Sequence, residues 1–399
     1  MKVLFIGGVF AEENEEEIIE LSCRPVEFSA NTFQKKIITG FRRIGVDEEV
    51  VSAPFIGSFP FASRKMIFSG FRKEQSDYKY VGFNNIWGLR NFSRARALKK
   101  GIKDFIREKN DKKIIVAYSP HTPFLEAAHY AKKKDPSIKV CIVIPDLPQY
   151  MNLDANISPV YKFAKQFDIK KFNKLNTCID SYILLTEQMK EKLPVNNKPY
   201  AIVEGIVDSE VFEALPEENE QSQEMRNIVY TGKLNEKFGA KDLVDAFLSL
   251  PNPMYRLIIC GKGDSEDYVK EKAKIDERMM YLGQVTPRQA QEWVSKADVL
   301  VNPRPDNEEY TKYSFPSKNI EYLISGKPVV AYHLSGMPSC YKDYIYRVED
   351  SLSESIEKAL NDTKENKNKK YQAACEHLKT ITGQAVAEKI IEITFSSEK

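Results

Sequence analysis

Short, dense runs of apolar residues alternate with longer segments of helical periodicity from one end of the chain to the other. The runs at 3–8, 49–53, 78–83, 113–118, 140–145 and 181–186 are too short for helices and lack strict polar alternation, which predicts strands buried on both faces. Between them, 31–43 predicts an amphipathic helix with Phe33, Ile37, Ile38, Phe41 and Ile44 on one face. Basic helices are expected at 92–106 and 158–177, and a helix entry at 121–129. After an acidic stretch at 213–224 that contains Pro216, the alternation resumes. Strands are predicted at 227–232, 255–260, 279–282, 299–302 and 328–331, with helices at 241–250 and 371–393. A further strand at 200–205 lies near the change of composition. The pattern predicts two parallel, doubly wound α/β domains, 1–197 and 198–375, followed by a terminal helical segment, 376–399.

The richest stretch is 313–331. A strand stops at Pro303, Pro316 suits the first turn of a helix, Ile320, Leu323 and Ile324 give that helix an apolar face, and Gly326 ends it. A helix start offers unpaired N–H groups and a partial positive charge, which suits a phosphate. Glu321 lies one turn in from Ser317, about 6 Å by helix rise, where a carboxylate could accept hydrogen bonds from ribose hydroxyls. An ordinary surface glutamate fits the same pattern. At the first strand-to-helix turn of the second domain, Lys233 and Lys237 would flank such a phosphate, or stand as solvated lysines. Gly7 and Gly8 end the opening strand, where glycine serves a tight turn as well as a ligand. His121 follows another strand end and reads either as a sugar contact or as a structural histidine.

Composition narrows the class. With 59 Lys+Arg against 57 Asp+Glu, the chain lacks the strong basic excess of a general nucleic-acid binder. No apolar run reaches the roughly 18 residues that span a bilayer, and the start reads as a strand without a signal-peptide cleavage region. The six cysteines are scattered without a CxxC, which predicts reduced thiols in a cytoplasmic protein and no zinc site. Two segments interleave aromatics with cations: 55–73, and the 158–177 helix, where Lys162, Lys165, Lys170, Lys171 and Lys174 accompany Tyr161, Phe163, Phe167 and Phe172. They read as buried rings beside solvated lysines, or as an interfacial surface for the inner face of an anionic membrane.

The stretch 321–331 resembles the C-terminal signature of glycosyltransferase family 4, the retaining, nucleotide-sugar-dependent enzymes of GT-B fold. Glu321 matches the second of two signature glutamates and Ser325-Gly-Lys-Pro-Val-Val-Ala331 the run that follows; Tyr313 stands where the first glutamate belongs. The resemblance implies two Rossmann-like domains with an interdomain cleft, and a last helix crossing back onto the first domain. It implies transfer of a hexose from a UDP-linked or other nucleotide-sugar to a saccharide or lipid-linked saccharide, with retention and without a metal or other cofactor, in polysaccharide or glycoconjugate biosynthesis. Lys233, Lys237 and Asp146 would be catalytic, with Lys233 in place of an Arg and Phe238 in place of a Lys. Glu321, Ser317, Lys318, Pro316, Phe315, Gly232, Gly8, His121 and Val285 would contact the donor. A nucleotide-sugar epimerase of the same fold, and a noncatalytic nucleotide-binding partner in a polysaccharide assembly, remain alternatives.

Overall fold

A computed structural model of the chain describes residues 1–23, 26, 28–71, 77–149, 159–212 and 225–396, with backbone alone for 159–164. They form two compact units, Met1–Asp208 with Ile381–Lys399, and Ser209–Thr380. The expected acidic stretch at 213–224 lies outside the described residues.

In the first unit the strands are β1 (Lys2–Gly7), β2 (Asp47–Ser52), β3 (Ile67–Phe68), β4 (Tyr78–Tyr80), β5 (Phe83–Asn84), β6 (Lys113–Tyr118), β7 (Lys139–Ile144), β8 (Ser181–Leu184) and β9 (Tyr200–Ile202). Seven of them make one parallel sheet in the order β4-β2-β1-β6-β7-β8-β9, and β3 pairs with β5 as a separate antiparallel ribbon. Val3 to Ile6 and Ile114 to Ala117 are wholly buried, because helices cover both faces of the sheet. Those helices are α1 (Glu15–Leu21), α2 (Phe28–Arg43), α3 (Arg90–Gly101), α4 (Lys103–Arg107), α5 (Thr122–Lys134) and α6 (Pro159–Leu175). The expected single helix at 92–106 is two, broken at Ile102 beyond Gly101, against which Val51 and Val81 pack.

In the second unit β10 (Arg226–Thr231), β11 (Tyr255–Cys260), β12 (Met279–Tyr281), β13 (Val299–Asn302), β14 (Val329–Ala331) and β15 (Tyr346–Arg347) form a parallel sheet in the order β12-β11-β10-β13-β14-β15. Its helices are α7 (Ala240–Leu248), α8 (Glu266–Ile275), α9 (Pro287–Ser295), α10 (Ser317–Leu323), α11 (Tyr341–Tyr344), α12 (Leu352–Asn361) and α13 (Lys364–Lys379). Order reversal between β10 and β13 creates a switch point where the loops after the two strands diverge.

Two boundaries differ from the sequence reading. The first unit ends at Asp208 and not at 197, because β9 pairs in register with β8 and completes the first sheet. The segment expected as one helix at 371–393 is α13 followed by α14 (Gly383–Phe395), so the terminal segment joins the first unit from Ile381 and not from 376. Thr382 caps α14 by accepting from the Ala385 amide. α14 then lies on α2, with Gly40 and Gly383 allowing the two backbones to touch.

Candidate functional site

The second unit gathers its polar groups at the ends of β10 and β13. Tyr322, on the inner side of α10, is wholly buried, and its hydroxyl accepts from the Thr231 amide at 2.9 Å. Asn302 donates to Asn319 at 2.7 Å, also buried. α10 is therefore fixed to the ends of two adjacent strands, with the Lys233 turn beginning one residue after the Tyr322 tie. Glu321 and Ser317 point to solvent. The Lys318 ammonium lies 2.5 Å from the Glu321 carboxylate, an i,i+3 pair that a ribose would have to share or displace. Pro316 is the residue before the helix rather than its first turn.

Lys233 and Lys237 are both exposed. Lys237 lies 5.4 Å from the ring centre of Phe238, and the same ring is approached from elsewhere by Arg304, 5.6 Å away. Gly239 makes this possible: it holds φ +77, and a side chain there would collide with the Pro303 carbonyl, so the turn lies directly against the end of β13. Several of the expected donor residues are packed or hydrogen-bonded within the second unit. Phe315 and Pro316 are buried, with the Phe315 ring 5.0 Å from Tyr341. The Gly232 amide is engaged by the Cys260 carbonyl at 2.9 Å. Val285 is half-buried in the segment between β12 and α9. Tyr313, at the position of the missing glutamate, is buried and cannot replace it as an exposed anion.

The first unit offers a cavity of about 640 Å³ bounded by the start of α3, the turn before α5 and the middle of α6. That volume lies within the range of small-ligand sites. Trp87, Phe92 and Phe167 form its exposed aromatic wall; Arg90, Lys165, Lys171 and Asp168 supply charge. Burial raises the Asp168 pKa, opposed in part by a hydrogen bond from Thr122 at 3.3 Å. His121 also lines the cavity, against the rings of Phe55 and Phe124. Burial, then the charges of Arg94 and Arg90, push its pKa well below the ordinary histidine range. Arg94 lies behind it, 1% exposed, with Nη1 at 3.4 Å from His121 Nε2 and Nη2 donating to the Pro54 carbonyl. Since a guanidinium only donates, His121 Nε2 accepts and the imidazole is neutral with its proton on Nδ1. Sequence reasoning found His121 but missed Arg94 and Asp168, which read as members of ordinary basic helices.

Gly8 also has its amide engaged. It is buried beneath the Phe55 ring, and its amide donates to Gln34 Oε1 at 2.9 Å, so it offers no free donor at the strand end. Asp146 is exposed beyond β7 and acts on Tyr118, whose pKa is driven up chiefly by burial. Of the suspected interfacial residues, Phe68, Phe71 and Phe172 belong to the core. Lys171 pairs with Glu126, and Lys165 donates to the Gln149 carbonyl at 3.0 Å. Phe61, Met66, Ile67 and Phe167 are exposed, as are Lys170 and Lys174. The side chains of Tyr161, Lys162 and Phe163 lie outside the described residues.

Comparison with known proteins adds an independent line. Residues 211–376 match the family model described as Glycosyl transferases group 1. TuaH of Bacillus subtilis (strain 168), a protein assigned as a teichuronic acid biosynthesis glycosyltransferase, is 24% identical over 174 residues, which is 43% of this chain and 43% of TuaH. The chain thus matches less than half the length of that relative. Among solved structures, the apo form of the lipopolysaccharide outer core galactosyltransferase WaaB superposes with a TM-score of 0.62 at 14% identity over 100% of both chains. Anabaena Alr3699/HepE, in complex with UDP and glucose, gives 0.54 at 15% identity, again over 100% of both. The fold is that of the GT-B proteins: two Rossmann-like α/β domains built on parallel sheets.

Proposed function

We propose that the protein is a retaining glycosyltransferase of polysaccharide or glycoconjugate biosynthesis. It moves a hexose from a nucleotide-sugar, most simply a UDP-linked one, to a saccharide or lipid-linked saccharide, without a metal. The observation that carries this is the pairing of the Lys233 turn with the Glu321 helix through Tyr322 and Thr231, within the stretch that matches the group 1 model. Glu321, released from Lys318, would accept from the ribose hydroxyls. Lys233 and Lys237 would neutralise the departing diphosphate, a stabilisation strongest where charge develops. As the bond from the anomeric carbon to the diphosphate breaks and that to the acceptor oxygen forms, a leaving-group oxygen takes the acceptor's proton. The UDP and glucose of the HepE complex favour a UDP-linked hexose.

The cavity of the first unit is the acceptor site in this reading. Trp87, Phe92 and Phe167 would stack on sugar faces, and Asp168 and His121 would take up hydroxyls. The exposed apolar residues of the first unit, with Lys170 and Lys174, favour an acceptor presented at an anionic membrane. No helix among the described residues is long and apolar enough to cross one. Buried Tyr313 at the first glutamate position favours a second reading, a noncatalytic nucleotide-binding partner. Incubating the full chain with a panel of nucleotide-sugars and a lipid-diphosphate sugar separates the possibilities. Transfer product supports the enzyme, isomerised donor an epimerase, and binding without turnover the partner.

A further inference from the structure

We infer that Arg304 is a third cation of the donor site, a guanidinium fork for the diphosphate of a nucleoside-diphosphate ligand; this rests on the donor reading above. Arg304 stands two residues beyond β13, at the same edge of the sheet as the Lys233 turn. Its guanidinium lies against two rings, 5.6 Å from the centre of Phe238 and 5.1 Å from that of Tyr310. Nη2 donates to Ser314 Oγ at 2.7 Å, two residues before Pro316, while the buried Nε has no well-formed hydrogen bond; Tyr310 and the charge of Asp306 both favour the charged guanidinium. No carboxylate among the described residues forms a salt bridge with it; nearby Asp306 is engaged by Thr311 and by the Ser335 amide. Burial holds the Arg304 pKa below its ordinary value, a desolvation that a bound anion would offset.

The geometry explains why an arginine is needed there. Lys233 and Lys237 are point charges, whereas a planar fork binds two phosphate oxygens at once. Phe238 leaves no cation on its own side chain, but the contact of Gly239 with Pro303 brings Arg304 over the Phe238 ring from the neighbouring strand. The two rings and Ser314 hold the guanidinium without a salt bridge. A loop that needed only anchoring would gain more from a carboxylate partner.

Calorimetry on the full chain tests this with uridine, guanosine and adenosine, each alongside its diphosphate. In wild type one diphosphate should bind more tightly than its nucleoside. Arg304→Met should weaken that diphosphate about 10-fold to 150-fold, the range for a charged hydrogen bond, and leave the nucleoside within about twofold. Arg304→Lys should recover part of the loss. Equal weakening of nucleoside and diphosphate would show that Arg304 only supports the loop, and an unchanged diphosphate affinity would remove it from the site. If wild type binds none of the diphosphates, the donor reading itself falls. Should Arg304→Met fail to fold, the diphosphate-to-nucleoside ratio in Arg304→Lys decides, because a structural role leaves that ratio unmoved.

Discussion

At the scale of single residues, charge placement governs what each site can do. Glu321 reaches a ligand only by giving up part of its contact with Lys318, which is exposed and therefore weak. Glu321→Ala should weaken nucleotide binding roughly 10-fold to 150-fold, and unchanged calorimetric affinity in a folded variant would rule out the ribose role. Lys233→Ala should lower kcat more than it raises donor KM if the ammonium serves the leaving group; a raised KM alone would make it a ground-state binder. His121 gives a pH signature. Its folded pKa is depressed, so below about 6.5 the unfolded chain binds a proton that the folded chain refuses. The linked stability is complete above that pH and is lost as pH falls towards the folded pKa, with a slope of at most about 1.4 kcal/mol per pH unit. Denaturant titrations at pH 7 and 5.5 should show this slope in wild type and a flatter one in His121→Gln; identical slopes would mean that His121 titrates normally.

Among elements, the position of α10 is decided by two buried hydrogen bonds rather than by its own length. Seven residues make a marginal helix, so the ties at Tyr322 and Asn319 set where Glu321 stands. Removing the hydroxyl in Tyr322→Phe leaves the Thr231 amide without this acceptor, a loss of about 1–3 kcal/mol. Equilibrium unfolding should register that loss, and nucleotide affinity should fall with it although the Tyr322 side chain is wholly buried. Full stability together with full affinity would show that α10 is held in some other way. α14 is an element of the same kind, since the Gly40–Gly383 contact and the buried Ser181–Thr394 hydrogen bond at 2.7 Å hold it on the first unit.

For the molecule as a whole, the proposed acceptor would be presented at a membrane or dissolved, and the exposed side chains of the first unit favour the membrane. Phe61, Met66, Ile67 and Phe167 would insert, while Lys170 and Lys174 would each contribute about 1 kcal/mol near an anionic surface, within a Debye length of about 8 Å. Flotation should recover the protein with anionic vesicles at low salt, hardly with neutral ones, and not in high salt. Lys170→Glu with Lys174→Glu should abolish recovery. Wild-type protein that ignores anionic vesicles at low salt would favour a soluble acceptor.

The sequence alone determined the alternation of strand and helix, the two parallel sheets, and the candidacy of Lys233, Lys237, Glu321 and His121. Those properties are local: a run buried on both faces, a helix end, or a polar residue after a strand can be read from neighbours in the chain. Tertiary structure decided which of these groups are available. Gly8 and Gly232 spend their amides on Gln34 and Cys260, Phe315 is packed on Tyr341, and Lys165 and Lys171 turn to partners beside the cavity. It also brought Arg94 behind His121 and Arg304 over Phe238, pairs separated by 27 and 66 positions. The bracketing of Arg304 by Pro303 and Pro305, just past a strand, was its one signal in the sequence. Burial and hydrogen-bond pairing are long-range properties of a packed interior, so a linear pattern names the candidates while the contacts between distant segments decide which of them face a ligand.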